Sequence, residues 1–168
     1  MKDIQYDDKE FYNIINPILE VSNFNDTKGI IHHGITRYEH CMRVAYYSYK
    51  IVKALHLDYV ETTEAALLHD FFFDEVADMN EIKKWREHPK YAVINAQKYI
   101  DLSDKQIDII KNHMFPITFT PPRYLESWIV DIVDDFVAIY EKAMTTSHEL
   151  SASCTFLFIL LTNYLKMH

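Results

Sequence analysis

"TRYEHCMRVAYYSYKIVKALHL", residues 36–57, decides the fold class. It opens on Thr-x-x-Glu, Thr36 and Glu39, a pairing in which hydroxyl and carboxylate each take up a backbone N–H left free at a helix start. A helix is therefore predicted from Thr36. His40, Val44, Tyr47 and Ile51 recur at spacings of three and four and are expected on one face, with Arg37 one turn before His40 on the same side. The helical period continues outward from here, and glycine occurs only at Gly29 and Gly34. Strand–helix alternations and hairpin folds use glycine at their turns, so the scarcity favours an all-α domain.

Upstream, "DKEFYNIINPILEVS" (8–22) sets Phe11, Ile14, Ile15, Ile18 and Leu19 on one helical face, with Pro17 expected to kink or split it. The linker "NFNDTKGIIHHGI" holds both glycines and two histidines, His32 and His33, which either face solvent or reach the rim of a site. Downstream, "DYVETTEAALLHDFFF" predicts a helix capped by Asp58. "EIKKWRE" reads as a short stretch before a helix capped at His88 with Pro89 in its first turn. "SDKQIDIIKNH" starts with a second capping box, Ser103 to Gln106. Its Ile107, Ile110 and Met114 define one face, with Ile109 and His113 on an adjoining edge. A proline-rich loop, "MFPITFTPPRY", precedes "ESWIVDIVDDFVAIYEKA", where Ile129, Ile132, Val133, Phe136, Val137 and Tyr140 mark an amphipathic helix interrupted by Asp131, Asp134 and Asp135.

The 168 residues fit one domain spanning 1–168, with a core at about 30–142 and a buried C-terminal helix at about 148–166. That last segment is too short and too interrupted by Thr162 and Asn163 to span a bilayer, which takes about 20 apolar residues. A net charge of −8 argues against nucleic acid or an anionic membrane as partner, yet admits an anionic small molecule if bound cations reverse the sign locally. Cys41 and Cys154 lie far apart in apolar patterns, and no basic-plus-apolar leader opens the chain, so a cytoplasmic location is expected. A homodimer stays open.

Residues 65–75, "AALLHDFFFDE", stop a greasy run on His69 and Asp70. Burying either side chain unpartnered costs several kcal/mol. A His-Asp dipeptide is expected about once by chance in a chain of this composition, so it means little alone. His40, His88, His113 and one aspartate of "VDIVDD" also fall in largely apolar helical patterns. Imidazoles and carboxylates converging from several helices form a usual ligand set for first-row divalent metals.

The order His40, His69-Asp70, His88, His113, Asp134, set in "RYEHCMRVA", "ALLHDF", "REHPKYA", "IIKNHM" and "IVDIVDDFVAIYE", resembles the HD-domain superfamily of metal-dependent phosphohydrolases. The resemblance covers about residues 30–142 and implies a single-domain HD-type helical bundle. It further implies that His40, His69, Asp70 and Asp134 hold one metal, and that His88 and His113 mark the dinuclear branch, with Asp70 bridging to a second. Asp134 matches the family pattern better than Asp131, and Asp131 better than Asp135. The small HD-type enzymes that cleave diadenosine tetraphosphate symmetrically are similar in length and share an "HPKxA"-like element. Many members follow His-Asp with Ile-Gly-Lys, whose lysine helps bind phosphate, where this chain has "FFFDE".

The expected activity is hydrolysis of a nucleotide or another small phosphate ester or anhydride by a metal-activated hydroxide, using two divalent ions drawn from Fe, Mn, Zn or Ni. Asp70 is expected to bridge, Arg37 to clamp phosphate, with Lys90 a weaker candidate, and Glu75 or Asp74 to donate a proton to the leaving group. Phe71 to Phe73 and "MFPITF" either wall an apolar pocket or belong to the core. Two other readings share the ligand set: a diiron oxygenase, and a non-catalytic ligand-binding module.

Overall fold

A computed structural model describes the backbone of residues 6–32 and 34–166 and the side chains of 6–31 and 34–147. Six helices, α1 (Lys9–Val21), α2 (Arg37–Ala54), α3 (Tyr59–Leu68), α4 (Glu81–Ala96), α5 (Asp104–Asn112) and α6 (Leu125–Lys166), make an all-α architecture. A 3-10 turn (Phe24–Gly29) and a two-stranded antiparallel ribbon, β1 (Ile31–His32) and β2 (Ile35–Thr36), fill the linker before α2. Among the described residues, no helix is long and apolar enough to cross a membrane.

Helix starts follow their caps. Thr36 and Glu39 form the reciprocal box at α2, Ser103 and Gln106 form another at α5, and Asp58 accepts from Glu61 N at α3. The prolines do not act as boundaries. Pro17 sits inside α1, and α4 begins eight residues before the expected start, capped by Asn80, so that His88 and Pro89 lie mid-helix. A proline inside a helix costs about 3 kcal/mol. In α4 that cost is opposed by the burial of His88, Pro89, Ala92 and Ala96 on one side.

Helices α2 and α3 pack most extensively, α6 lies along α2, and α5 joins α3, α4 and α6. The core between them is built from residues such as Phe11, Tyr49, Leu67, Phe71, Ile109 and Val130. Burial follows lines somewhat different from those expected. On α2 the inward line runs through His40, Cys41, Val44, Ala45, Ser48 and Val52, leaving Tyr47 and Ile51 exposed. On α5 it runs through Gln106, Ile109, Ile110 and His113, with Ile107 and Met114 only partly covered. On α6 Val130, Val133 and Val137 face inward together with Ser127, Asp131, Asp134 and Glu141, while Ile132, Phe136 and Tyr140 face out. The polar side chains take the inward line of α6, so the apolar stripe expected to be its buried face extends round to solvent.

The segment expected as a separate C-terminal helix continues α6 without a break through Lys166. The burial expected for 148–166, and for Cys154 within it, lies outside the described side chains, as do the side chain of His32 and all of His33.

Candidate metal centre

Five elements bring polar side chains to one buried locus. His40 comes from the first turn of α2, His69 and Asp70 from the C-terminal end of α3, His88 from mid-α4, His113 from the C-terminal end of α5, and Asp134 from α6. All six are buried.

The Nδ1 atoms explain the orientation of the rings. His69 Nδ1 donates to Ala66 O (2.8 Å), His88 Nδ1 to Lys84 O (3.0 Å) and His113 Nδ1 to Ile110 O (2.7 Å). A carbonyl oxygen can only accept, so each of these Nδ1 atoms carries a proton, and in the neutral ring Nε2 is a bare lone pair. His40 Nδ1 is held by Glu141 Oε2 at 2.9 Å, and Glu141 Oε1 in turn accepts from Arg43 Nη1 at 2.6 Å. Every imidazole is thus fixed from behind with Nε2 directed inward.

What those nitrogens meet is more electron density. His40 Nε2 lies 2.9 Å from Asp134 Oδ1, and His69 Nε2 lies 3.5 Å from the same oxygen. His88 Nε2 lies 3.0 Å from Asp70 Oδ1 and also 3.0 Å from His113 Nε2. Asp70 divides its oxygens: Oδ1 is 3.7 Å from His113, whereas Oδ2 is 4.0 Å from His69. Among the described residues, fully buried His69 Nε2 makes no closer polar contact than its long 3.5 Å one to Asp134. Lone pairs this close repel unless positive charge lies among them, supplied by protons or by cations.

Protons answer only part of the demand. Burial works against charge on His40, but its hydrogen bonds to Asp134 and Glu141 win and raise its pKa to about 10. Burial would raise Asp134, yet His69 and His40 hold it well below the usual carboxylate range. His113 goes the other way: burial, assisted by His69 and His88, pushes it down to about 3, so it stays neutral. A neutral His113 facing His88 and Asp70 is a donor set for a divalent ion rather than a proton store. Two triads meet the spacing for a metal, His40–His69–Asp134 and His69–Asp70–His113, the ligand atoms within each lying no more than 4.8 Å apart. The residues present therefore fit a metal.

The other expected residues fall as follows. Asp131 belongs to neither triad and accepts from Phe115 N at 3.2 Å; Asp135 is exposed. Arg37 is buried, with its guanidinium carbon 3.6 Å from the centre of the Phe72 ring and Nη1 donating to Phe72 O. Glu75 accepts from Phe73 N (2.6 Å) and from Asn95 Nδ2 (2.7 Å). Burial opposes it, but these bonds hold its carboxyl below the ordinary value, which suits an anchor of the loop after Asp70 more than a proton donor. Asp74 and Lys90 are exposed.

Three supporting residues escaped the sequence reading. Glu141 stands seven residues after Asp134, two turns along the same face, a spacing that could have revealed it. Asn95 ties Phe71 O to Glu75. Asp108 accepts from Asn112 Nδ2, Arg123 N and Ser127 Oγ, fastening the end of α5 to the start of α6.

In comparisons with known proteins, the family model described as "HD domain" matches residues 37–139, a span that includes all six clustered residues. No curated protein and no solved structure matches the chain.

Proposed function

Because the chain belongs to the HD domain family, whose members are generally metal-dependent phosphohydrolases, we propose that it is a hydrolase of a nucleotide or another small phosphate ester or anhydride, working with two divalent ions. The observation that carries this reading is the inward set of Nε2 atoms and carboxylate oxygens, each ring locked from behind. His40, His69, Asp70 and Asp134 would hold one ion, and Asp70, His88 and His113 the other. Asp70 suits the shared position because its two oxygens face different histidines.

The chemistry such ions supply when bound is polarisation of a phosphoryl oxygen and activation of a water near neutral pH. In the net reaction water adds oxygen to phosphorus, the bond from phosphorus to the leaving oxygen breaks, and the leaving oxygen gains a proton. The chain's own share is positional. Glu141, Ala66, Lys84 and Ile110 keep the rings from turning, which preserves ligand geometry through turnover. Arg37 supports phosphate binding: Nε is buried without a hydrogen-bonding partner, and stacking on Phe72 fixes the plane of the fork.

The test is metal analysis of the purified protein together with phosphate release from a panel of esters and anhydrides. Close to two metals per chain and turnover are expected, and Asp70→Ala should lose both ions and at least about a hundredfold in activity. Full activity in metal-free protein, or an Asp70→Ala variant that keeps its metal, would refute the reading.

A further inference from the structure

A small cavity of about 190 Å³ opens beside His88, between the loop after Asp70 and the first turns of α4. Its walls include Arg37, Phe72, Lys84, Trp85 and His88. His88 belongs to the metal cluster as well, so the cavity adjoins that cluster. Ligand pockets usually run to about 300–1,000 Å³, so this one takes part of a ligand.

Its chemistry narrows which part. On a chain of net charge −8, two cations share the wall with one carboxylate, Glu81. Arg37 is only 6% exposed and keeps Nε without a hydrogen-bonding partner. A buried guanidinium N–H in that state wants an oxyanion. Among the described residues Lys84 is held by Glu81 alone, at 3.4 Å, and that carboxylate is 71% exposed, so the ammonium can turn to a stronger anion. Lys84 also contributes the carbonyl that fixes His88 Nδ1. An anion bound at its side chain therefore sits one helical turn from a metal-cluster residue.

We propose that Lys84 and Arg37 form a subsite for a second phosphoryl group of the substrate, next to the one held at the metal cluster. The preferred substrate is then a phosphoanhydride in place of a simple monoester, with Trp85 at the rim against the organic group. This rests on the phosphohydrolase reading, and the test separates the two.

Calorimetry on the metal-loaded protein, with metal content checked afterwards, would compare adenosine α,β-methylene diphosphate with adenosine monophosphate. The wild type is expected to favour the diphosphate at least tenfold. Lys84→Met should lose most of that preference while retaining its metal, and Lys84→Arg should keep it. In turnover, the kcat/KM ratio of anhydride to monoester should fall in parallel, through KM. Equal affinity of the wild type for both nucleotides, or an equal weakening of both in Lys84→Met, overturns the subsite even where phosphate esters are hydrolysed. A preference that depends on Lys84, in a protein that hydrolyses neither class, upholds the subsite and overturns the phosphohydrolase reading.

Discussion

Asp131 and Asp134 stand one turn apart on α6 and in opposite electrical settings. Asp134 faces imidazoles and is held low, whereas Asp131 is raised from its usual 3.8 to about 7 by burial, reinforced by Asp135, with only the Phe115 N–H opposing. An unfolded chain ionises Asp131 near its ordinary value, so the folded state loses stability as pH rises from there through about 7. Each unit of difference is worth about 1.4 kcal/mol. Asp131→Asn keeps an oxygen for Phe115 N and removes the charge. In chelator-treated protein it should come close to wild type at pH 4 and exceed it by about 4 kcal/mol at pH 8 in urea unfolding. A variant destabilised equally at both pH values would mean that Asp131 is ionised in the fold. The ligand-type residues were legible in the sequence because ionisable side chains interrupting apolar runs need partners. Glu141 was not, since a glutamate late in an amphipathic pattern reads as a solvated one until the face of Asp134 is known.

At the scale of elements, capping boxes were legible, whereas breakers and the lone cap Asn80 of α4 were not. Capping boxes are local: the residues that satisfy the free N–H groups stand three apart in sequence, so Thr36 and Ser103 mark their helix starts unaided. Pro89 is judged by tertiary packing, which outweighed its local penalty and carried α4 back to Glu81. The β1–β2 ribbon was also beyond the sequence, because strands of two residues leave no alternation to read. Gly34 closes the hairpin at φ +87°, and a Cβ there would stand 2.5 Å from Thr145 Cγ2 on α6. Gly34→Ala should therefore cost about 1–3 kcal/mol, combining left-handed strain with the clash. Gly29→Ala, where a Cβ meets nothing within 4 Å, is the control and should change stability little. In a Thr145→Ala background the Gly34→Ala cost should shrink and not vanish, because relieving the overlap leaves the backbone strain. Thermal melts of the four variants decide it: a Gly34→Ala protein as stable as Gly29→Ala would show that the ribbon does not press on α6.

Across the whole molecule, residues far apart in sequence, His40 and Asp134 among them, become neighbours 2.9 Å apart. All-α class was readable from glycine scarcity and helical period, but which faces converge depends on how α2, α3, α5 and α6 pack, and periodicity leaves that open by tens of degrees. The same convergence makes the cluster a clamp between five elements. In the metal-free state it is held together by the raised His40 and His69 against the depressed Asp134, while neutral His113, pushed down by burial, contributes no attraction. Ions that bind only the folded chain stabilise it by about 4 kcal/mol at a thousandfold excess over Kd. In a chain of this length each kcal/mol moves Tm by about 2–4 °C. Chelation should therefore lower Tm by about 10 °C, reversibly on adding back metal. Asp70→Ala should start near the chelated value and no longer respond to the chelator. If chelation strips the metal and Tm stays where it was, the ions do not bridge the helices, and the six side chains meet for a reason other than metal binding.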